Sequence, residues 1–432
     1  MAIVASGASI DAAAWATDAQ PTSPAVVQPS ASCKGTNVEP GEATDPTSGR
    51  QYIAWEGCGG VAFASRAPGK GFSPPLVLPH SKAAGVVAWD PAIAVAPNGT
   101  VYVTFEVQTP TKSYPVIAAS NNGGASFSQV VDDSAVPKGN WGDRPNLAIA
   151  ADSKTIFLSW DYGPSAALVN NGIVCSPSGS CAFTTGDLNI VVQASTDGGK
   201  TFGARNPLTP ASYPFSGSDI GPITVEPNGT IACVYQGYRT TNQTTGALAP
   251  GNVYFTSSAN QGKTWSTPIL VGASAGTMSL DEWWDEPSLS IDAGGNIYAA
   301  WDTQSGSTDV GWVAFSSDRG QSWSAPLQAS SDNSNAPHIM NVIGLGPGSA
   351  DVVWLSSSDP RGYALFARPL SVQSGWLAPQ AVLSTTFGNA GISPGDTIGV
   401  ARADSSRLAI SWGGTTASSP SVSQISAGTF PN

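Results

Sequence analysis

Charge is scarce in this chain. Of 432 residues only 11% are charged, 18 basic against 30 acidic, giving a net charge of −12 and an isoelectric point near 4.5. The lysines and arginines stand singly, so there is no basic stripe to meet a phosphate backbone or an anionic bilayer, and neither is expected as a partner. No apolar run approaches the ~18 residues of a membrane helix. Histidine occurs only as His80 and His338; with cysteines at unsuitable spacings, a zinc site is not expected. Residues 1–32 lack a basic start and a long apolar core, so they read as the beginning of a mature secreted chain with an added Met rather than as a signal peptide. A secreted, extracellular protein is expected.

Cysteine is sparse too, at five residues. In a lysine-poor chain this fits an oxidising compartment with two bridges and one leftover thiol. The expected pairs are Cys33 with Cys58 and Cys175 with Cys181. Cys233, inside the apolar run Ile231-Ala232-Cys233-Val234-Tyr235, is expected to be a buried free thiol. Asn98-Gly99-Thr100, Asn228-Gly229-Thr230 and Asn242-Gln243-Thr244 fit the glycosylation sequon, but for the first two the hairpin-turn reading is favoured.

Turn residues are abundant, with 48 Gly and 34 Pro, which suits short strands and many turns rather than long helices. One stretch recurs every fifty to seventy-five residues. Ser195-Thr196-Asp197-Gly198-Gly199-Lys200-Thr201-Phe202 returns as Ser120-Asn121-Asn122-Gly123-Gly124-Ala125-Ser126-Phe127, as Ser258-Ala259-Asn260-Gln261-Gly262-Lys263-Thr264-Trp265, and as Ser316-Ser317-Asp318-Arg319-Gly320-Gln321-Ser322-Trp323. Worn copies lie at residues 65–72 and 367–376. Ser hydroxyls and Asp or Asn side chains can bond the amides of a tight turn, Gly supplies a positive φ, and the aromatic anchors the return strand.

This pattern resembles the Asp-box, S-x-D-x-G-x-[ST]-[WF], of the sialidase-like β-propellers. The resemblance implies an all-β propeller of four-stranded antiparallel blades with the box turns on outer hairpins. It also implies that Asp197 and Asp318 are structural. A second signature precedes each box: a Pro opens an alternating strand, a Gly or Asn turn follows, and a second strand ends in an aromatic. Examples run from Asp90-Pro91 to Phe105, from Asp143-Arg144-Pro145 to Trp160 and from Asp285-Glu286-Pro287 to Trp301. With Glu39-Pro40 to Trp55, Pro222 to Tyr235, Pro337 to Trp354 and Asp396 to Trp412 there are seven units. Seven blades are preferred; six is the alternative. Residues 33–432 then form a single propeller domain. Part of residues 1–32 closes the last blade, whose unit stops without a box and leaves an edge to seal. Insertions are expected at residues 163–185 and 240–251.

In propellers the loop into the innermost strand shares its face with the loop after the second strand. Asp90, Asp143, Asp219, Asp285, Glu286 and Asp396 precede innermost strands, and Glu56, Glu106, Asp161 and Asp302 follow second-strand aromatics. All should crowd one face beside Trp89, Trp141, Trp283, Trp284 and Tyr238, making an acidic cup with aromatic walls suited to sugar rings. An Asp before a strand can also simply cap a turn, and a Trp there can simply pack.

The sialidase catalytic pattern is not met. In that family an Arg-Ile-Pro precedes an early inner strand and three arginines clamp the sialate carboxylate; here only Arg144 lies near, one position off. A glycoside hydrolase of neutral glycans is therefore expected, with Asp143, Asp285 and Glu286 as its acids. Trp141, Arg144, Trp284, Trp89, Asp90 and Tyr238 would line the pocket, and Asp161 and Asp302 would set the charge around it. The alternative is a non-catalytic glycan- or protein-binding propeller; a lyase or true sialidase ranks lower. No cofactor is required, although clustered carboxylates could hold a structural Ca²⁺. A monomer with a glycan ligand is expected.

Overall fold

The most apolar runs of the chain, such as Tyr52-Ile53-Ala54-Trp55 and Val101-Tyr102-Val103, fall on second strands covered on both faces. A strand sandwiched between neighbouring sheets has no polar face to alternate with, so its sequence reads as continuous hydrophobicity. The computed structural model describes residues 25–80, 83–138, 140–163, 173–175, 181–183, 189–209, 217–219, 221–238, 240–242, 247–248, 252–273, 287–305, 308–332, 339–359, 362–385 and 392–432. It is a seven-bladed β-propeller of small antiparallel sheets, with no helix among the described residues.

Blade 1 comprises Val38–Thr44, Gln51–Gly57, Gly60–Arg66 and Leu76–Val77. Blade 2 comprises Val87–Val95, Val101–Thr109, Lys112–Ser120 and Ser128–Asp132. Blade 3 uses Trp141–Ile149, Ile156–Gly163, Asn189–Ser195 and Asn206–Pro207. In blade 4 the inner position is shared by Gly217–Asp219 and Ile223–Val225, followed by Ile231–Tyr238, Asn252–Ser258 and Ile269–Ala273. Blade 5 is Ser288–Ile291, Ile297–Ser305, Thr308–Ser316 and Leu327–Asp332. Blade 6 is Ile339–Gly344, Ser349–Asp359 and Gly362–Ser371, with Gly375–Trp376 and Ala381–Thr385 both at the outer edge. Blade 7 has Gly399–Arg402, Arg407–Thr416 and Ser419–Pro431. Inner strands touch in this order and blade 7 returns to blade 1, so the ring is closed.

The core lies between blades. Trp55, Trp160, Trp301, Trp354 and Trp412, all on second strands, which run on past the aromatic that the sequence suggested as their end, are almost fully buried, and each such ring stabilises its layer by about 2–3 kcal/mol through burial. Two indoles are also satisfied, Trp55 donating to Asn37 Oδ1 at 3.0 Å and Trp160 to Gln193 Oε1 at 2.8 Å. Each recurring turn bonds itself as its residues dictate. Gly199 N and Thr201 N donate to Ser195 Oγ and Asp197 Oδ1 at 2.9 and 3.0 Å, and the turns at Ser120, Ser258 and Ser316 repeat the scheme. These turns also seal the joints. A Cβ on Gly124 would meet the Phe63 ring of the preceding blade at 2.5 Å, and one on Gly320 would meet Phe255 at 2.0 Å. At the blade 3 turn, Tyr102 of blade 2 donates to Gly198 O at 3.0 Å.

Alongside the last strand, Val27 exchanges both main-chain hydrogen bonds with Ala427, at 2.9 and 2.8 Å. Ser30 Oγ donates to Gln424 Oε1 and accepts from Ile425 N, both at 2.8 Å. A disulfide joins Cys33 to Cys58, and Cys233 is a buried free thiol. In the expected insertions, Ile173–Cys175 pairs with Cys181–Phe183 with Cys175 opposite Cys181, and Thr240–Asn242 pairs with Ala247–Leu248. The side chains of Cys175 and Cys181 lie outside the described residues.

Candidate functional site

Three successive blades distort their inner strands at the same place. Glu39, Asp90 and Arg144 each precede a proline and each adopts a left-handed backbone, with φ of 55°, 47° and 48°. Each also sits at a break in strand register: between Val38 and Gly41, between Trp89 and Ala92, and opposite the step from Ser159 to Asp161. A positive φ is costly for a residue with a Cβ, and a bulge re-aims the side chain it carries. The strain recurs at equivalent positions of three blades, where the surrounding structure must over-determine it.

The three side chains converge with Asp396 of blade 7. Arg144 Nη1 lies 3.2 Å from Asp90 Oδ1 and 4.0 Å from Glu39 Oε2, and Nη2 bonds Asp396 Oδ2. Arg144 is only 9% exposed, so its charge needs those carboxylates around it. Asp90, Arg144 and Asp396 themselves line a cavity of about 300 Å³ bounded by the inner strands of all seven blades, from Pro40 to Val400. Glu56 joins from the end of the second strand of blade 1. One oxygen from each of Glu39, Glu56 and Asp90 lies within 4.8 Å of the others.

Crowded acids in a dry place separate in acidity. Burial would raise Asp90, but the Arg144 guanidinium and hydrogen bonds with Glu39 and Asp143 outweigh it, so its carboxyl lies below the ordinary range. Glu39 is pushed well up by burial, then by the charge of Asp90 and the hydrogen bond they share, with Arg144 pulling the other way. Burial, together with the charge of Asp90, lifts Glu56 to about 7. Glu106 is pushed far up by burial and by the charges of Asp143 and Asp90. An ionised acceptor therefore sits beside a carboxyl that is half protonated at neutral pH. The triad Glu39, Glu56 and Asp90 has the spacing of a hard-cation site, but Arg144 already supplies the countercharge there.

Asp143 is buried directly behind this cluster, its Oδ1 accepting from the Arg144 amide at 3.0 Å. Asp161 faces Asp143 across the strand pair and is buried, as is Asp302 in blade 5. Trp89 is half-buried next to Asp90. Asp285, Glu286, Trp283 and Trp284 lie outside the described residues, as do the side chains of Trp141, Tyr238 and Asp219. The structure adds Glu39 and brings Glu56 and Asp396 to the centre. The signal for Glu39 was present: aligned on proline, Glu39-Pro40, Asp90-Pro91 and Arg144-Pro145 are one position, at which Arg144 rather than Asp143 corresponds to Asp90.

No family model matches this sequence, and no curated protein matches it. Among solved structures the chain is similar to the NanB sialidase of Streptococcus pneumoniae, with a TM-score of 0.54 at 9% identity over 88% of this chain and 83% of that one. It is similar to the α-L-arabinofuranosidase Arb93A of Fusarium graminearum, with a TM-score of 0.52 at 14% identity over 79% and 94%. A protein of unknown function from Dyadobacter fermentans gives 0.53 at 17% identity over 82% and 97%. At these identities the likeness is one of fold.

Proposed function

We propose that this propeller is a secreted glycoside hydrolase acting on neutral glycans, with the cup at Glu39, Glu56, Asp90 and Arg144 as its active site. The observation that carries this reading is the pairing of Asp90, held ionised by Arg144, with Glu56, lifted to about 7, their oxygens within 4.8 Å. Glycoside cleavage needs one carboxyl to give a proton and another to carry charge, and oxygens within 4.8 Å leave no room for a water between the pair, which favours the retaining over the inverting arrangement. Glu56 would protonate the departing oxygen while Asp90 attacks the anomeric carbon. Glu56, now a carboxylate, would then take a proton from the water that cleaves the glycosyl ester. Asp143 would steady Asp90 from behind; Asp285 and Glu286 remain candidates from the start of blade 5.

A neutral substrate is favoured because Arg144 is met by Asp90, Asp396 and Glu39, so a sugar carboxylate would have to displace them against a negative surround. Neighbours of the same fold include a sialidase and an arabinofuranosidase, which supports a glycan as the ligand. The Cys33–Cys58 bridge supports an oxidising, extracellular setting. A second reading, a non-catalytic glycan-binding propeller, is favoured by the low exposure of Asp90 and Glu39, 12% and 13%.

The test is a panel of neutral aryl glycosides, arabinofuranosides included, and sialosides, followed by Asp90→Asn and Glu56→Gln with melting temperatures. Turnover of a neutral glycoside by the folded protein that falls by roughly 10²–10⁴-fold in both variants is expected, with a lower melting temperature for Asp90→Asn, which takes a partner from Arg144, and an unchanged one for Glu56→Gln. Full activity in both would remove these residues from the site. Glycan binding without turnover would establish the second reading, and efficient sialoside cleavage would overturn the neutral-substrate argument.

A further inference from the structure

The joint that closes the ring differs from the others. The turn of blade 1, residues 65–72, is a worn copy, and between it and blade 7 there is a cavity of about 630 Å³, twice the volume of the central one. It lies at the end of blade 1 away from the cup, where the inner strand finishes at Thr44 and the second begins at Gln51. Its body is lined by Ala67, Pro68, Ala403 and Pro431. At its floor is Arg66, half-buried and fixed on three sides. Its Nε donates to Gln51 Oε1 at 2.5 Å, its Nη2 to Thr429 Oγ1 at 2.8 Å, and its guanidinium stacks 4.5 Å over Phe72. Lys70 and Arg407 also line the cavity, with Asp404 as the acid opposite, ion-paired to Arg407.

Among the described residues no carboxylate ion-pairs with Arg66. The carboxyl whose charge it feels, Glu42, is pushed up to about 8 by burial, with Ser411 and Arg66 pulling it back, so at neutral pH it leaves the guanidinium uncompensated. A guanidinium ordered in advance, partly out of water and without its anion, is an anion receptor lacking only the anion. That three of only 18 basic residues gather on one cavity of a chain with net charge −12 is a second, independent observation.

We propose that the seam between blades 7 and 1 is a binding site for a small organic anion, an apolar body bearing a carboxylate or sulfonate that pairs with Arg66. The site opens at the other end of blade 1 from the cup; the link between them is Glu42, which lines the central cavity and whose charge Arg66 feels, and the proposed anion pairing takes no part in the cup's chemistry.

The probe is anilinonaphthalene sulfonate, titrated by fluorescence into the full chain, with neutral phenylnaphthylamine as the uncharged control. One dye per chain is expected, with binding weakened by salt, roughly tenfold weaker or worse in Arg66→Gln, which loses a charged partner, and abolished in Ala67→Trp, which fills the cavity while leaving the charges in place. Lys70→Gln, on the rim, should weaken binding only a few-fold and serves if Arg66→Gln fails to fold. Equal dye binding in Arg66→Gln and Ala67→Trp would overturn the proposal. So would equally tight binding of the neutral control, which would make the cavity merely apolar, and so would dye binding seen only after removal of residues 1–24, which would make the chain's own terminus the occupant.

Discussion

Two sets of carboxyls recur with the blades and are put to opposite use. Asp197 and Asp318 stand in exposed turns. The Thr201 amide and hydroxyl pull Asp197 down to about 2, and the Ser322 hydroxyl and amide do the same for Asp318. Glu39, Glu42, Glu56 and Glu106 stand at the hub, where loss of water pushes each of them up. In the turns many donors converge on one acid; at the hub Glu39 and Glu56 share the Arg144 guanidinium with Asp90, while Glu42 and Glu106 are raised chiefly by loss of water. Donor count and water access, rather than residue type, decide which acids are structural staples and which can move a proton.

The sharpest way to break this contrast is to remove the shared cation. Arg144→Met leaves Asp90, Asp396 and Glu39 without their countercharge, and a destabilisation of about 3–5 kcal/mol is expected in urea unfolding. Adding Asp90→Asn to the same chain should recover part of it, because one of the stranded charges is gone. An Arg144→Met chain as stable as the parent would show that the cluster is not held by that pairing.

A smaller effect comes from pH. Glu42 and Glu56 are raised from 4.5 to about 8 and about 7, so between pH 4.5 and 8 the folded chain holds protons that the unfolded chain has released. Stability therefore falls as pH rises through that window. Glu42→Gln removes the larger contribution and should narrow the difference in melting temperature between pH 5 and pH 8 by several degrees. An unchanged difference would place Glu42 in contact with water.

The smallest effect belongs to the turns. Asp197 is depressed from 3.8 to about 2, so its contribution is present above pH 3.8 and lost as pH falls through about 2. Asp197→Ala should lower the melting temperature at neutral pH by roughly 1–3 °C and leave any pH–activity profile in place. A change in that profile would mean that the turn reaches the cup.

Blade number was legible because proline, turn and aromatic recur in one order, and because the second-strand aromatics, five tryptophans with Phe105 and Tyr235, are buried one to a blade. The Cys33–Cys58 bridge was legible from parity and spacing. The site was legible only as a face. Residue type alone favours Asp143, whereas the backbone selects by position: the left-handed kink before proline turns residues 39, 90 and 144 into the cup and leaves Asp143 behind Arg144. Glu56 could be assigned to that face, but its closeness to Asp90 comes from packing between blades 1 and 2, which no local pattern encodes.

The central claim is that the cup holds Glu56 half protonated beside an ionised Asp90. Carbon-13 NMR titration of the Glu and Asp carboxyls tests it most directly. A Glu resonance with its midpoint near 7 that vanishes in Glu56→Gln and persists in Glu42→Gln is the predicted result. A Glu56 resonance titrating at the ordinary value near 4.5, or an Asp90 resonance titrating above the ordinary Asp value of 3.8, would contradict it.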